Sequence, residues 1–161
     1  MNQLADNMLE NGDLLPLFGE IASRVINKID GVETLNIESE VGSEINLRDY
    51  VSGICLKGKL SAHIFLITSQ NSALKLVENM YNMGQSPEID DEILLSAVNE
   101  LLNISAGQLA MALSYKGIEI DISTPIISGK EEIMLTAQKD IPIQRLSIHC
   151  NIGTLDLLSL N

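Results

Sequence analysis

The chain has 161 residues and a mass of 17.6 kDa, within the range that one hydrophobic core serves before a chain divides. With 45% hydrophobic and 20% charged residues, its composition is that of an ordinary globular protein, which excludes global disorder and a coiled coil. Ten Lys and Arg against 22 Asp and Glu give 10 − 22 = −12, so the counterion release that drives nucleic-acid binding has no basic surface to act through.

Taken in chain order, Asp13 is placed to cap a helix whose apolar residues Leu14, Phe18, Ile21, Val25 and Ile29 recur at helical spacing, with Gly31 to end it. Short segments rich in β-branched residues follow near 34–40, 50–57 and 59–68, and Lys57-Gly58 predicts a tight hairpin. Ser69 opens a second helix through Leu74, Val77, Met80 and Tyr81, closed by Gly84 and followed by a break at Ser86-Pro87. Asp90, Asp91 and Glu92 place negative charge where the macrodipole of a third and longest helix favours it. The apolar residues of this helix run on to Leu113, and Gly117 ends it. The remainder reads as strands near 118–127, 131–139, 142–150 and 152–159, with turn signals at Ser128-Gly129 and Asn151-Ile152-Gly153. This order predicts an α+β fold in which long helices pack on one face of a largely antiparallel sheet that ends in a meander.

No linker-like tract divides the sequence, so a single domain over residues 1–161 is expected, with residues 1–12 as a loosely ordered N-terminal segment. The first 15 residues contain Asp6, Glu10 and Asp13 but no Lys or Arg. No uninterrupted apolar run approaches the roughly 20 residues of a membrane span, so neither a signal peptide nor a membrane partner is expected. Cys55 and Cys150 are too few for a disulfide framework and neither lies in a Cys-x-x-Cys pair, which points to a reducing cytoplasm.

The third helix carries a polar strip. At about 100° per residue, Ile93, Leu94, Ala97, Val98, Leu101, Leu102, Ile104 and Leu109 cover a broad apolar arc. The narrow strip left over holds Ser96, Asn99, Glu100, Asn103 and Gly107, with Ala106 and Ala110 at its edge. A solvated face would also produce such a strip, but it normally uses Lys, Glu and Arg, whereas Asn is a weaker helix former. Glu100 and Asn103, three apart, project a carboxylate and a carboxamide side by side, a pair able to grip a cation and a water. The doublet Glu-x-x-Asn is weak evidence alone, because Glu33/Asn36 repeats it in a strand-like stretch where alternation separates the two side chains.

A longer pattern is more specific: Ser96, three residues, Glu100, two residues, Asn103, twenty-one residues, Pro125. It resembles the signature of the CheC/CheX/FliY family of chemotaxis phosphatases: Asp or Ser, x3, Glu, x2, Asn, about twenty-one or twenty-two residues, Pro. The stretches ELLNISAGQLAMAL, ISTPIISG, VSGICLKGKLSAHIFL and SALKLVENMY are similar to that family too, so the resemblance covers most of the chain after about residue 14. A single complete copy matches the CheX-type members, since CheC-like chains carry two. Lys59-Leu60-Ser61-Ala62-His63 departs from the more glycine-rich hairpin expected of the family, outside the signature.

The resemblance implies a CheC-like fold and hydrolysis of the aspartyl phosphate of a CheY-type response regulator. By the same resemblance Asn103 would position the attacking water and Glu100 would pair with the regulator's active-site lysine. Ser96 and Pro125 would support the site, with Asn99 and Gly107 as further support or partner contacts. This chain would bind no cofactor, because Mg²⁺ and the phosphoaspartate would sit on the regulator. A carboxamide suits that role, since it can orient water without carrying negative charge toward the phosphoryl oxygens, in a reaction governed by positioning and charge neutralisation. The rival reading is a non-catalytic regulator-docking or flagellar-switch-like module of the same fold, which would be expected to lose Glu or Asn first.

Elsewhere, His63 and His149 lack metal-ligand spacing with Cys55 or Cys150, and no Ser-His-Asp signature is visible. Met8, Met80, Met83, Met111, Met134, Phe18 and Phe65 read as core filling. A homodimer joined by sheet edges is also implied by the resemblance. The C-terminal strands, rich in Ile141, Ile143, Leu146, Ile148, Ile152, Leu155, Leu157 and Leu158, are expected to provide those edges.

Overall fold

The structure, a computed structural model, describes residues 13–42, 48–82, 89–123, 133–134, 139 and 143–160. The N-terminal segment 1–12, Gly84, Ser86-Pro87, Ser128-Gly129 and Pro125 lie outside the described residues.

Helix α1 spans Leu15–Asn27, with Leu14 rather than Asp13 at the capping position. Asp13 acts one residue further out, its Oδ1 accepting from the Leu15 N–H at 3.2 Å. The helix stops before Ile29, and Gly31, at φ 79°, turns the chain toward strand β1, Thr34–Gly42. Strands β2, Tyr50–Gly58, and β3, Ala62–Thr68, pair antiparallel from Tyr50↔Thr68 to Leu56↔Ala62. Lys57 and Gly58, expected to make the tight turn, are instead the last residues of β2 and pair with Asp121 and Ile120, so the chain reverses over residues 59–61. Ser69 caps helix α2, Gln70–Met80, and Asp90 caps helix α3, Asp91–Ser114, by accepting from Ser72 N–H at 3.2 Å and Ile93 N–H at 3.0 Å. Past α3, Gly117 at φ 74° lets the Ile118 N–H return to the Leu113 carbonyl at 3.0 Å, which closes the helix end.

The sheet is completed by β4, Ile120–Ile122, β5, Ile143–Cys150, and β6, Gly153–Leu160, in the spatial order β1-β5-β6-β3-β2-β4 with every neighbouring pair antiparallel. The three helices pack on one face, so the expected layered α+β arrangement is observed. The expected C-terminal meander with apolar edges is not. β5 and β6 occupy the middle of the sheet, and their hydrophobic runs reflect burial on both faces. Leu146, Ile148, Leu155 and Leu157 meet the helices, while Ile143, Leu158 and Leu160 join Val51, Phe65, Ile67 and Ile133 on the other side. Among the described residues the sheet edges are β1 and the three-residue β4. Residues 133 and 134 are helical, so the strand expected at 131–139 is absent there, and Ile133 covers the second face instead.

Helix α3 is the keystone of the helical layer, burying Leu94, Ala97, Val98, Leu101, Leu102, Ser105, Ala106, Leu109 and Leu113 against α1, α2, β2 and β4. Each large aliphatic among them contributes roughly 2 kcal/mol by leaving water. By length and composition alone α3 would also suffice to cross a membrane, and 44% of that stretch is buried inside the fold. Two polar ties fix its position on the sheet: Tyr50 donates from its hydroxyl to Asp91, and Ser52 on β2 donates to Asn99 Oδ1.

Candidate functional site

The outward face of α3 carries the expected strip in modified form. Ser96, Glu100, Asn103 and Gly107 are exposed and succeed one another at three- and four-residue steps, so they line one side of the helix. Glu100 and Asn103 are therefore brought together, with Ser96 one turn before them and Gly107 one turn beyond. A Cβ added at Gly107 would meet nothing within 4 Å, so a partner's backbone can approach this turn closely.

Several residues sit elsewhere than the helical wheel suggests. Asn99 is half-buried and turned toward the sheet, where it takes the Ser52 hydroxyl; it anchors the helix from beneath. Ala106 is fully buried in the core rather than at the edge of the strip. Ile104, assigned to the apolar arc, is 41% exposed, and Met111, assigned to the core, is 60% exposed on the same outward side. Met134 is likewise exposed, whereas Phe18 and Phe65 are buried as expected. The periodicity of α3 is ambiguous at 104 and 111 because apolar residues occupy both faces. From Ile93 to Tyr115, Glu100 is the only charged residue. A face dominated by Ser, Asn, Gly, Ile and Met with one carboxylate differs from a face built for solvation.

Sequence reasoning missed one residue of this site. Tyr81, grouped there with the apolar positions of α2, is 43% exposed and donates its hydroxyl to Glu100 Oε2 at 2.5 Å. The hydrogen bond to the carboxylate, then burial, then the carboxylate's charge push the Tyr81 phenol up to about 12. It therefore remains a neutral donor throughout the physiological range. Its position at the polar end of a helix, beside Asn82, is the only signal the sequence offered. Tyr81 and Glu100 line an open groove of about 540 Å³, walled also by Lys28, Asp30 and Glu78 from the C-terminal ends of α1 and α2.

Beyond α3, Ser123 pairs with Cys55 through backbone and side chain at 3.0 and 2.8 Å, holding the chain against β2 two residues before Pro125. Pro125 itself lies outside the described residues. Cys55 and His63 stand directly opposite in the β2–β3 register, a proximity that their spacing did not reveal. Among the described residues no group of three or more His, Cys, Asp or Glu is arranged to hold a metal ion. His149 is engaged by Thr154 and Glu38 at 3.0 and 3.1 Å, and burial pushes the Cys150 thiol up, away from nucleophilic thiolate.

Comparison with known proteins gives a consistent result. A protein-family model described as chemotaxis phosphatase CheX matches residues 50–149. The CheY-P phosphatase CheX of Thermotoga maritima is 31% identical over 122 residues, covering 68% of this chain and 78% of the relative. Among solved structures, the chemotaxis protein CheX of Desulfovibrio desulfuricans superposes with a TM-score of 0.69 at 18% identity, covering 92% of this chain and 98% of that one. A chain of the CheX–CheY–BeF₃–Mg²⁺ complex from Borrelia burgdorferi superposes at 0.62 with 22% identity, covering 91% and 96%. At these identities the structural likenesses establish the fold.

Proposed function

The chain belongs to the chemotaxis phosphatase CheX family, and from that premise we propose that it hydrolyses the aspartyl phosphate of a CheY-type response regulator, ending the signal that the phosphate carries. The observation that carries this reading is the pairing of Glu100 and Asn103 on an outward helix face that has no other charge. Glu100 meets the lysine of the regulator's active site and sets the helix over the phosphoryl group. Asn103 then accepts a hydrogen bond from a water and aims its oxygen at phosphorus. As the new oxygen–phosphorus bond forms, the phosphorus–oxygen bond to the aspartyl group breaks, restoring the aspartate carboxylate and releasing inorganic phosphate. The regulator's Mg²⁺ supplies charge neutralisation, so this chain contributes position rather than a strong base.

The other members of the signature have supporting roles. Ser96 and Pro125 shape the site, Asn99 holds α3 on the sheet through Ser52, and Gly107 admits the partner's backbone. Ile104 and Met111 add an apolar border on which the regulator can dock. The cytoplasm is the compartment this reading requires, and the free thiols of Cys55 and Cys150 agree with it. The same reading makes the chain a homodimer joined along β1, whose nine residues form an edge of the sheet among the described residues and bear exposed Leu35 and Val41. A docking module without hydrolysis would need Glu100 but not Asn103.

The test is phosphate release from a phosphorylated CheY-type regulator, with and without the chain, beside its Asn103→Ala variant. Wild type is expected to shorten the phosphate lifetime, and Asn103→Ala to lose on the order of 10²-fold in turnover while still binding, because misplacing the reacting water costs about that much. An exposed site makes the change nearly neutral for the fold, so thermal unfolding should be unaltered. An Asn103→Ala variant with full activity would remove the water-positioning role.

A further inference from the structure

An exposed glutamate on a helix samples many rotamers, and ordering such a side chain when a partner arrives costs on the order of 1 kcal/mol. Glu100 is held before any partner arrives. Tyr81 is the C-terminal capping residue of α2, its own N–H bound to the Val77 carbonyl at 3.1 Å, and Asn82 follows at φ 50°, so the backbone from which the phenol projects is fixed. The end of α2 is also lodged against the loop that follows α1: a Cβ at Gly31 would lie 2.6 Å from Asn79 Oδ1. From this site the hydroxyl reaches across to α3 and bonds one carboxylate oxygen, Oε2.

We propose that Tyr81 is the positioning residue of the proposed phosphatase site: it holds the Glu100 carboxylate in the orientation that receives the regulator's lysine. This rests on the reading of Glu100 given above and deepens it. The residue type fits the role. A carboxylate has about four acceptor positions, so one hydroxyl leaves room for an ammonium. A Lys or Arg in place of Tyr81 would fix Glu100 equally well but would cancel the charge the partner must meet. Ser or Thr lacks the reach, whereas a tyrosine spans the gap with only two side-chain torsions to order. The groove beside the pair is open, so a cation can reach the carboxylate while the phenol stays in place.

Tyr81→Phe removes the hydroxyl and leaves the ring, so its effect should fall on capture of the substrate rather than on the chemical step. Steady-state dephosphorylation of a CheY-type regulator, charged with a small-molecule phosphodonor, should show KM raised roughly three- to tenfold with kcat within about twofold, the range of one charge-assisted hydrogen bond at a partly exposed site. In a Glu100→Ala background the same Tyr81→Phe change should leave kcat/KM unaltered, because the hydroxyl acts only through the carboxylate. A KM equal to that of wild type, a loss confined to kcat, or an equal loss in both backgrounds would each overturn the positioning role. A wild-type chain that fails to shorten the regulator's phosphate lifetime would overturn the phosphatase reading itself, and the Tyr81 role with it.

Discussion

At the scale of single residues the proposed site turns on the Glu100 carboxylate. On α3 itself Glu100 has no charged neighbour between Ile93 and Tyr115, so it is the one carboxylate this helix face offers an approaching lysine, held by Tyr81 and set beside Lys28, Asp30 and Glu78 of the neighbouring groove. Removing it and reversing it should therefore differ. Glu100→Ala deletes the attraction and is expected to weaken regulator binding by roughly tenfold, whereas Glu100→Lys adds like-charge repulsion and should weaken it further. Titration of both variants with a beryllofluoride-activated regulator measures this order, and wild-type affinity in Glu100→Lys would take Glu100 out of the interface. Both substitutions lie at an exposed helix position but remove the Tyr81 hydrogen bond, so stability should fall by about 1 kcal/mol, too little to unfold the chain, and a binding loss can be read as a property of the site.

At the scale of elements, α3 must be held still for that carboxylate to be of use, and its first turn is tied to the sheet by the Tyr50 hydroxyl bonded to Asp91. Burial, the hydrogen bond to Asp91, and the negative charges of Asp91 and Asp49 push the Tyr50 phenol up to about 12. An unfolded tyrosine titrates near 10, so the folded state favours the protonated phenol. The contribution of this tie is thus complete below pH about 10 and is lost as pH rises toward about 12. Chemical unfolding should show Tyr50→Phe less stable than wild type by about 1 kcal/mol at neutral pH, with the gap closing across that alkaline window. Parallel pH profiles for the two proteins would mean that the tie does not hold α3. Element identity was legible because Ser69 and Asp90 cap where short polar side chains should, and because β-branched runs alternate with Gly-marked turns. The partners of β5 and β6 were not legible. A strand buried on both faces has no alternation to betray its neighbours, and pairing across a hundred residues, as in Ile37↔Ile148, leaves no local mark. The Glu100–Asn103 pair was readable from spacing within one helix, while Tyr81 came from another element that only the fold brings near.

At the scale of the whole molecule, the two ends of the sheet differ in what covers them. α3 packs over β2 and β4, at one end of the strand order, and β1 lies at the other. β4 is three residues long and offers little to a pairing chain, but β1 offers nine. Ile37 and Val41 lie on the same face as the buried Ile148, extending the apolar layer beneath the helices beyond what α1 covers, and are left 39% and 63% exposed. The bulge between Thr34 and Asn36 breaks the alternation at Leu35, itself 64% exposed. On its other face Glu38 and Glu40 are engaged by His149 and Arg145, which leaves the apolar row and the open backbone as the adhesive features of the strand. A second copy paired along β1 would satisfy both, and it would leave the outward face of each α3 free for a regulator. The −12 charge of each chain opposes this association, so the dimer should tighten as salt rises from low to moderate concentration. Light scattering at micromolar concentration and moderate salt is expected to give roughly twice the 17.6 kDa chain mass for wild type and a monomer for Val41→Lys, since a charge on an edge strand blocks pairing. The variant should keep its phosphatase activity per chain, because its substitution lies across the sheet from α3. A wild-type monomer under these conditions would refute the β1 interface while leaving the site on α3 intact.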